Sequence, residues 1–518
     1  MGNAEGMSGD NLERSGNGLV LFGLVVGAVA ASAFYAIGEY WLDGPGLDET
    51  TPATLMQTIA IFAAGWVLLA ERGDLLKPIL PAALIAAVLA GPTYWLLSEL
   101  APNDARLTAA PAGFWFALGA PIAAFLLTAL AKSYGLGHGG RNYTALFFHG
   151  LTLPLIAGGA AVFAGLSLLL LFAWAALLKA LGVDAFQKVF QEPWFILPFL
   201  GAVGGLSIGL IRAQQAVLGA LRFILLLLAR LLAPIMAAFS ITLLAALAVQ
   251  GPEAVLQFDY VAGGLLGLAF MGMLIFNGVY QNGEGGAPPI WLRISIIIVI
   301  LTLPVFVGLS AYAFWLRVSE YGLTPPRIYG LAVTALAVVY TGVLLIGLTS
   351  ELNWRAKRWM APIAPLNASL AGLWAAALIL LSTPIVNTWA ISAKSQEEVF
   401  LSGAVPAEDF DFGYLQFSLG APGAAALDRL LALETHPEAA TIRARIEAAR
   451  TFENYWSYKR YLQGFPTEDA KPSPSRPDSG APSGPDRGPN THPIEDFEDD
   501  AAHIEDLQDL PLAPAAAK

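Results

Sequence analysis

The chain has 518 residues, 56% of them hydrophobic and 13% charged, with a formal net charge of −12 and no cysteine. A soluble globular domain carries about a quarter charged residues and lacks repeated apolar runs of ~20, so a wholly soluble fold is excluded. Disulfides, thiolate metal sites and cysteine nucleophiles are excluded too, and the five dispersed histidines offer no metal-ligand spacing.

Residues 1–17 are polar and read as a cytoplasmic N-terminal segment. From 18 to 390, apolar runs predict eleven membrane helices, near 18–38, 53–70, 78–97, 111–131, 152–178, 194–211, 231–249, 260–280, 294–316, 328–349 and 367–387. Helix is the expected state because a segment in lipid must satisfy its own backbone polar groups. The first run, Leu19–Ala30 followed by Ala31-Ser32-Ala33, also resembles a signal-peptide core with a small-residue cleavage site. Arg14 stands there against Glu5, Asp10 and Glu13, the wrong charge balance for such a leader, so the span is read as retained. Gly23-x3-Gly27, Gly201-x3-Gly205, Gly205-x3-Gly209 and Gly263-x3-Gly267 let helices approach closely, and predict tight packing within one bundle.

Two stretches are too long or too basic for simple spans. No charge lies between Arg141 and Lys179, so Tyr143–Thr152 is expected along the membrane interface, with Pro154 at the bend. Residues 212–230, with Arg212, Arg222 and Arg230 among leucines, read as an interfacial helix. Gly135-Leu-Gly137-His-Gly-Gly140 matches a dinucleotide fingerprint in form only. It follows a membrane helix rather than a buried strand, and reads as a loop.

Orientation follows from arginine and lysine in the short loops. With the N-terminus inside, inner segments hold twelve basic residues and outer segments five: Arg106, Lys179, Lys188, Arg317 and Arg327. That places the N-terminus in the cytoplasm and the C-terminus outside it.

The segment Arg317-Val-Ser-Glu320-Tyr321-Gly322-Leu323-Thr324-Pro325-Pro326-Arg327 predicts a tight outer hairpin. Gly322 supplies the left-handed residue that ends one helix, and Thr324 with Pro325 opens the next. Arg317 and Glu320 are spaced to pair. Arg327 falls in a first helical turn, where the dipole disfavours a cation, so an anionic partner is expected: a carboxylate, a lipid phosphate or a substrate. Polar residues at membrane depth are few. Asn277 is the most suggestive, as an amide that needs a partner. No acid sits centrally in any span, which argues against a proton-coupled carrier.

After Trp389 the character changes. Residues 391–463 mix charge with apolar positions and predict a small helical domain, with helices over 424–434 and 438–462 separated by His436-Pro437. Its aromatic group, Phe452, Tyr455, Trp456, Tyr458 and Tyr461, is expected to pack on the preceding helix. From 464 to 518 the chain is rich in Pro, Ser, Gly, Asp and Glu, a composition that predicts disorder. Residues 391–518 hold 22 of the 40 acids and 11 of the 28 bases, so the acidity belongs to this end and argues against nucleic acid as a partner.

Asn277-Gly-Val-Tyr280-Gln-Asn, Pro289-Ile-Trp291-Leu-Arg293, Leu303-Pro304, the Arg317–Arg327 hairpin, Ile391-Ser-Ala-Lys-Ser-Gln396 and Phe410-Asp411-Phe412 resemble a bacterial polytopic membrane family. That family is catalogued as a domain of unknown function, number 4153. The likeness runs from about residue 20 to 435 and is strongest from 270 onward. It implies a bacterial inner-membrane location and brings no catalytic or binding residues with it.

The expected architecture is therefore all-α: a polytopic bundle of about eleven transmembrane helices with a small helical extracytoplasmic C-terminal domain. No catalytic constellation, cofactor motif or metal set is legible. The lipid bilayer is the certain partner, with an anionic lipid or an envelope protein as further candidates. The residues put forward for an anion, lipid or interaction site are Arg317, Glu320, Tyr321, Arg327 and Asn277. Three functions fit: an envelope scaffold acting through the C-terminal domain, a transporter or channel for a small solute or lipid, and an enzyme acting on a lipid-linked anion.

Overall fold

The computed structural model describes residues 4–39, 50–71, 74–99, 110–135, 143–258, 260–351 and 358–464. Expectations for the acidic stretch beyond 464 and for most of the Gly135–Gly140 loop fall outside them. Among the described residues every regular element is helical, and eleven helices are long and apolar enough to cross a membrane. The chain is a multi-pass membrane protein.

Helix α1 (Ala4–Ile37) is followed by α2 (Thr50–Leu69) and α3 (Ile79–Ser98). The fourth span runs through α4 (Ala110–Phe114), a π turn (Trp115–Gly119), α5 (Ala120–Leu130) and a second π turn (Ala131–Gly135). Pro121 has no N–H to donate to Ala117, and the ladder widens to π geometry in the turn before it. Next come α6 (Tyr143–Ala180), the short α7 (Ala185–Gln191), α8 (Pro193–Ala213) and α9 (Gln215–Gln250). After the single turn α10 (Glu253–Leu256), α11 (Val261–Tyr280), α12 (Ile290–Tyr321), α13 (Pro325–Glu351) and α14 (Ile363–Leu380) complete the spans. A 3-10 turn at Pro384–Val386 leads to α15 (Thr388–Leu401), α16 (Phe412–Ser418), α17 (Gly420–Leu431), α18 (Ala439–Thr451) and α19 (Tyr455–Leu462).

The glycine motifs bring α1 and α8 together. A methyl added to Gly23 would overlap the carbonyl of Gly205, and one added to Gly27 would overlap that of Gly201. Gly209 faces the backbone of Val20 in the same way. Backbone-to-backbone approach of this kind supplies dispersion where lipid removes the hydrophobic drive. Gly263 and Gly267 have no neighbour at that range, so their motif carries no helix contact.

Two expected interfacial segments are instead continuous with the spans that follow them. Tyr143–Ala180 is one helix through Pro154, and Gln215–Gln250 is one helix through Arg222 and Arg230. At ~1.5 Å per residue they run about 57 and 54 Å, well beyond a hydrocarbon core of ~30 Å. The two extensions support each other. The Arg222 guanidinium lies 4.1 Å from the Phe148 ring centroid and donates to the Thr152 hydroxyl at 3.2 Å.

Two hydrophobic cores organise the bundle. One gathers α9, α11, α12, α13 and α14 around Phe276, Val299, Ile300, Phe306 and Leu344. Half of the apolar window of α12 is buried against 6% for α6, so α12 is the axis and α6 faces lipid. The other core joins α2, α3 and α5 to the C-terminal helices through Leu89, Trp115, Trp389, Phe400, Phe412 and Leu427. The predicted helix over 438–462 is divided, because the Asn454 side chain accepts from Ser457 N at 2.8 Å and starts α19 afresh. Phe452 does pack on Tyr461 and Tyr458, at 5.1 and 6.2 Å between centroids, while Trp456 is 73% exposed.

Candidate functional site

The polar residues singled out by the sequence separate into two places, at opposite ends of α12. Arg317, Glu320, Tyr321 and Arg327 lie where α12 turns into α13. Asn277 lies near the end of α11, beside the start of α12.

At the hairpin, Gly322 has φ +72° and donates its N–H to Val318 O at 2.9 Å, closing α12 as expected. Pro325 opens α13. Arg327, in the first turn, reaches back across the connection. Its Nη1 donates to Gly322 O at 2.7 Å and Tyr321 O at 3.2 Å, and its guanidinium covers the Tyr321 ring at 5.5 Å. The negative pole that it meets is the carbonyl end of α12. Arg317 and Glu320 are exposed on the last turns of α12, and Glu320 hydrogen-bonds the Tyr321 side chain. Helix α15 closes over the same turn. Gln396 Nε2 donates to Tyr321 O and Leu323 O at 3.0 and 3.1 Å, and Ser395 Oγ accepts from Leu323 N at 2.9 Å. The hairpin is thus the seat on which the C-terminal helices dock.

Basic side chains recur in this capping role. Arg212 donates to Val67 O and Ala70 O, and Lys132 donates to Leu68 O at 2.9 Å, so both close the end of α2.

At the other end of α12, four helices contribute to a half-buried polar network. Asn277 donates to Met273 O at 2.8 Å and to the Tyr340 hydroxyl of α13. Asn367 of α14 donates to Asn277 Oδ1 at 2.9 Å and to the Tyr143 hydroxyl of α6 at 3.0 Å. One acceptor of the network stands apart. Asn367 Oδ1 is buried with no protein partner.

Above the network opens a cavity of about 990 Å³ whose wall includes Tyr134, Tyr143, Thr144, Glu284, Arg358 and Ser369. Tyr143 belongs both to this wall and to the network, through the hydrogen bond it accepts from Asn367. Glu284 is engaged: Oε1 accepts from Thr144 Oγ1 at 2.7 Å and Oε2 from Asn282 Nδ2 at 3.2 Å. The backbone here is strained. Gln281 (φ 58°) and Met360 (φ 46°) are the non-glycine residues with positive φ among those described, and both border this end of α11. Tyr280 steadies the second by donating to Met360 O at 3.2 Å. No group of three His, Cys, Asp or Glu side chains that could hold a metal gathers among the described residues.

A family model described as Domain of unknown function (DUF4153) matches residues 56–430. The chain belongs to this family. No curated protein and no solved structure matches it. The DUF4153 region takes in the hairpin, the amide–phenol network and the cavity, and ends within α17. Sequence reasoning found Asn277 but missed Tyr143, Tyr340 and Asn367. Asn367 is the first residue of a predicted span, Tyr143 falls in a stretch expected at the interface and Tyr340 sits inside the span 328–349, so only the packing of α6, α11, α13 and α14 reveals them as one set.

Proposed function

We propose that this DUF4153 chain is a membrane carrier that binds a small polar solute between α6, α11 and α14, with the Asn277–Tyr340–Asn367–Tyr143 network as its inner gate. One observation carries the reading: a large cavity lined by Thr144, Glu284, Arg358 and Ser369 shares Tyr143 with a polar network that joins four membrane helices. Polar groups shared between membrane helices cluster on solute pathways. A bundle held only for scaffolding would be as stable with leucine at those positions. The scaffold reading has less support, because α15 and α17 bury their apolar faces against the chain's own second core. The basic asymmetry of the loops supports a bacterial inner-membrane orientation with the N-terminus and this cavity cytoplasmic, and α15–α19 outside.

The absence of cysteine allows a clean test. Ser369→Cys, on the cavity wall, is expected to react with a membrane-impermeant maleimide in inverted vesicles and not in intact cells. Purified full chain is then melted against a panel of amino acids, sugars, small carboxylates and nucleosides. A solute that raises the melting temperature should also protect Ser369→Cys, and Tyr143→Phe or Asn367→Leu should remove both effects. If no solute stabilises or protects the protein, the carrier reading fails.

A further inference from the structure

A second cavity, of about 370 Å³, lies on the other side of the 281–289 loop. Its wall combines Arg230 from α9, the glycines Gly285 and Gly286, Trp291 at the start of α12, and the leucines Leu227 and Leu231. From Leu231 to Gln250 the 20 residues of α9 carry no charge and cover about 30 Å, one hydrocarbon thickness. Arg230 therefore stands at the edge of the hydrocarbon, at the level of lipid phosphates. Arg222, one turn pair away, is engaged by Phe148 and Thr152, whereas Arg230 forms no ion pair with a described residue.

The remaining walls suit an amphiphile. Gly285 and Gly286 have open space where a Cβ would stand, so a headgroup can approach the loop backbone. The first turn of α12, which no side chain caps, borders the same space. Leu231 and Trp291 are 54 and 51% exposed, and Leu231 opens the uncharged run of α9, which leaves an apolar track for an acyl chain beside an interfacial tryptophan.

We infer that this cavity is a binding site for the phosphate of an anionic phospholipid, with Arg230 as the charge partner and the acyl chain running from Leu231 into the hydrocarbon. The inference does not depend on the carrier reading, since it uses the opposite side of the loop.

The test uses the full chain in a neutral maltoside detergent, titrated with phosphatidylglycerol, phosphatidylcholine or inorganic phosphate, with bound lipid counted by native mass spectrometry. One phosphatidylglycerol per chain should be retained in preference to phosphatidylcholine, and equimolar inorganic phosphate should not displace it. Arg230→Gln should weaken its binding about tenfold or more, as loss of a charged hydrogen bond would. Lys188→Gln, which removes an equal charge elsewhere, should leave it unchanged. Gly286→Leu, which fills the cavity without touching Arg230, should reduce binding with the melting temperature retained, and covers the case in which Arg230→Gln does not fold. Equal binding by the parent and Gly286→Leu proteins, or equal loss with Lys188→Gln, would overturn the site. Full displacement by inorganic phosphate would assign it to a soluble anion and overturn the lipid.

Discussion

Arg327 belongs to α13, yet its Nη1 lies 2.7 Å from the carbonyl oxygen of Gly322, the residue that terminates α12. A cation misplaced for its own helix dipole is well placed for that of its neighbour. Arg327→Gln is therefore expected to lower stability by about 1–2 kcal/mol, and Arg327→Lys to recover part of the loss. Glu320→Gln should cost under about 0.5 kcal/mol, and the double mutant should be additive. Thermal melts of the three variants in detergent decide this. A clearly non-additive double would make Glu320 the working partner.

The α1–α8 contact gives a test with an internal control. Gly205→Leu must push apart two backbones in contact and should cost at least about 2 kcal/mol. Its neighbour Gly204 has no atom within 4 Å of an added Cβ, so Gly204→Ala should melt like the parent. Equal effects at the two positions would show that helix propensity, rather than close approach, governs the site.

Stability of the C-terminal helices should fall in strong alkali. Tyr458 is fully buried against Phe417 and Phe452, and burial pushes its phenol from 10.0 up to about 12. Tyr455 moves the same way, first by burial and then through the Asp411 carboxylate, whose Oδ2 its hydroxyl meets at 2.6 Å. The folded state holds these protons more tightly than the unfolded one. The contribution is complete below about pH 10 and is lost as pH rises toward 12. Denaturant midpoints for loss of the Tyr458 near-ultraviolet signal should fall over that interval, and Tyr458→Phe should blunt the pH dependence of the remaining aromatic signal. A flat profile would mean that these phenols are not desolvated.

Orientation can be settled by fusion. Alkaline phosphatase placed after residue 462 is expected to be active, and a fluorescent protein at the same point dark. The reverse pair would turn the molecule over and put the Arg358 cavity outside.

How much of this was legible in the sequence depends on the range of the physics involved. Hydropathy over ~20 residues marked all eleven spans, since backbone satisfaction in lipid is a local requirement met within each segment. The turn at Gly322 and Pro325 was equally local, and so were the small residues of α1 and α8, although only packing showed that Gly263 and Gly267 are not used in the same way. The fate of long polar side chains was not local. Arg222 was read as an interfacial anchor until Phe148 and Thr152, about seventy residues away, appeared beside it. Arg327 seemed to require an acid because a sequence does not display the open carbonyls at the end of a folded helix. Asn277 announced a missing partner but could not name Tyr340 or Asn367. A buried amide is satisfied by whichever helices pack around it, and that choice is made only when α6, α11, α13 and α14 assemble.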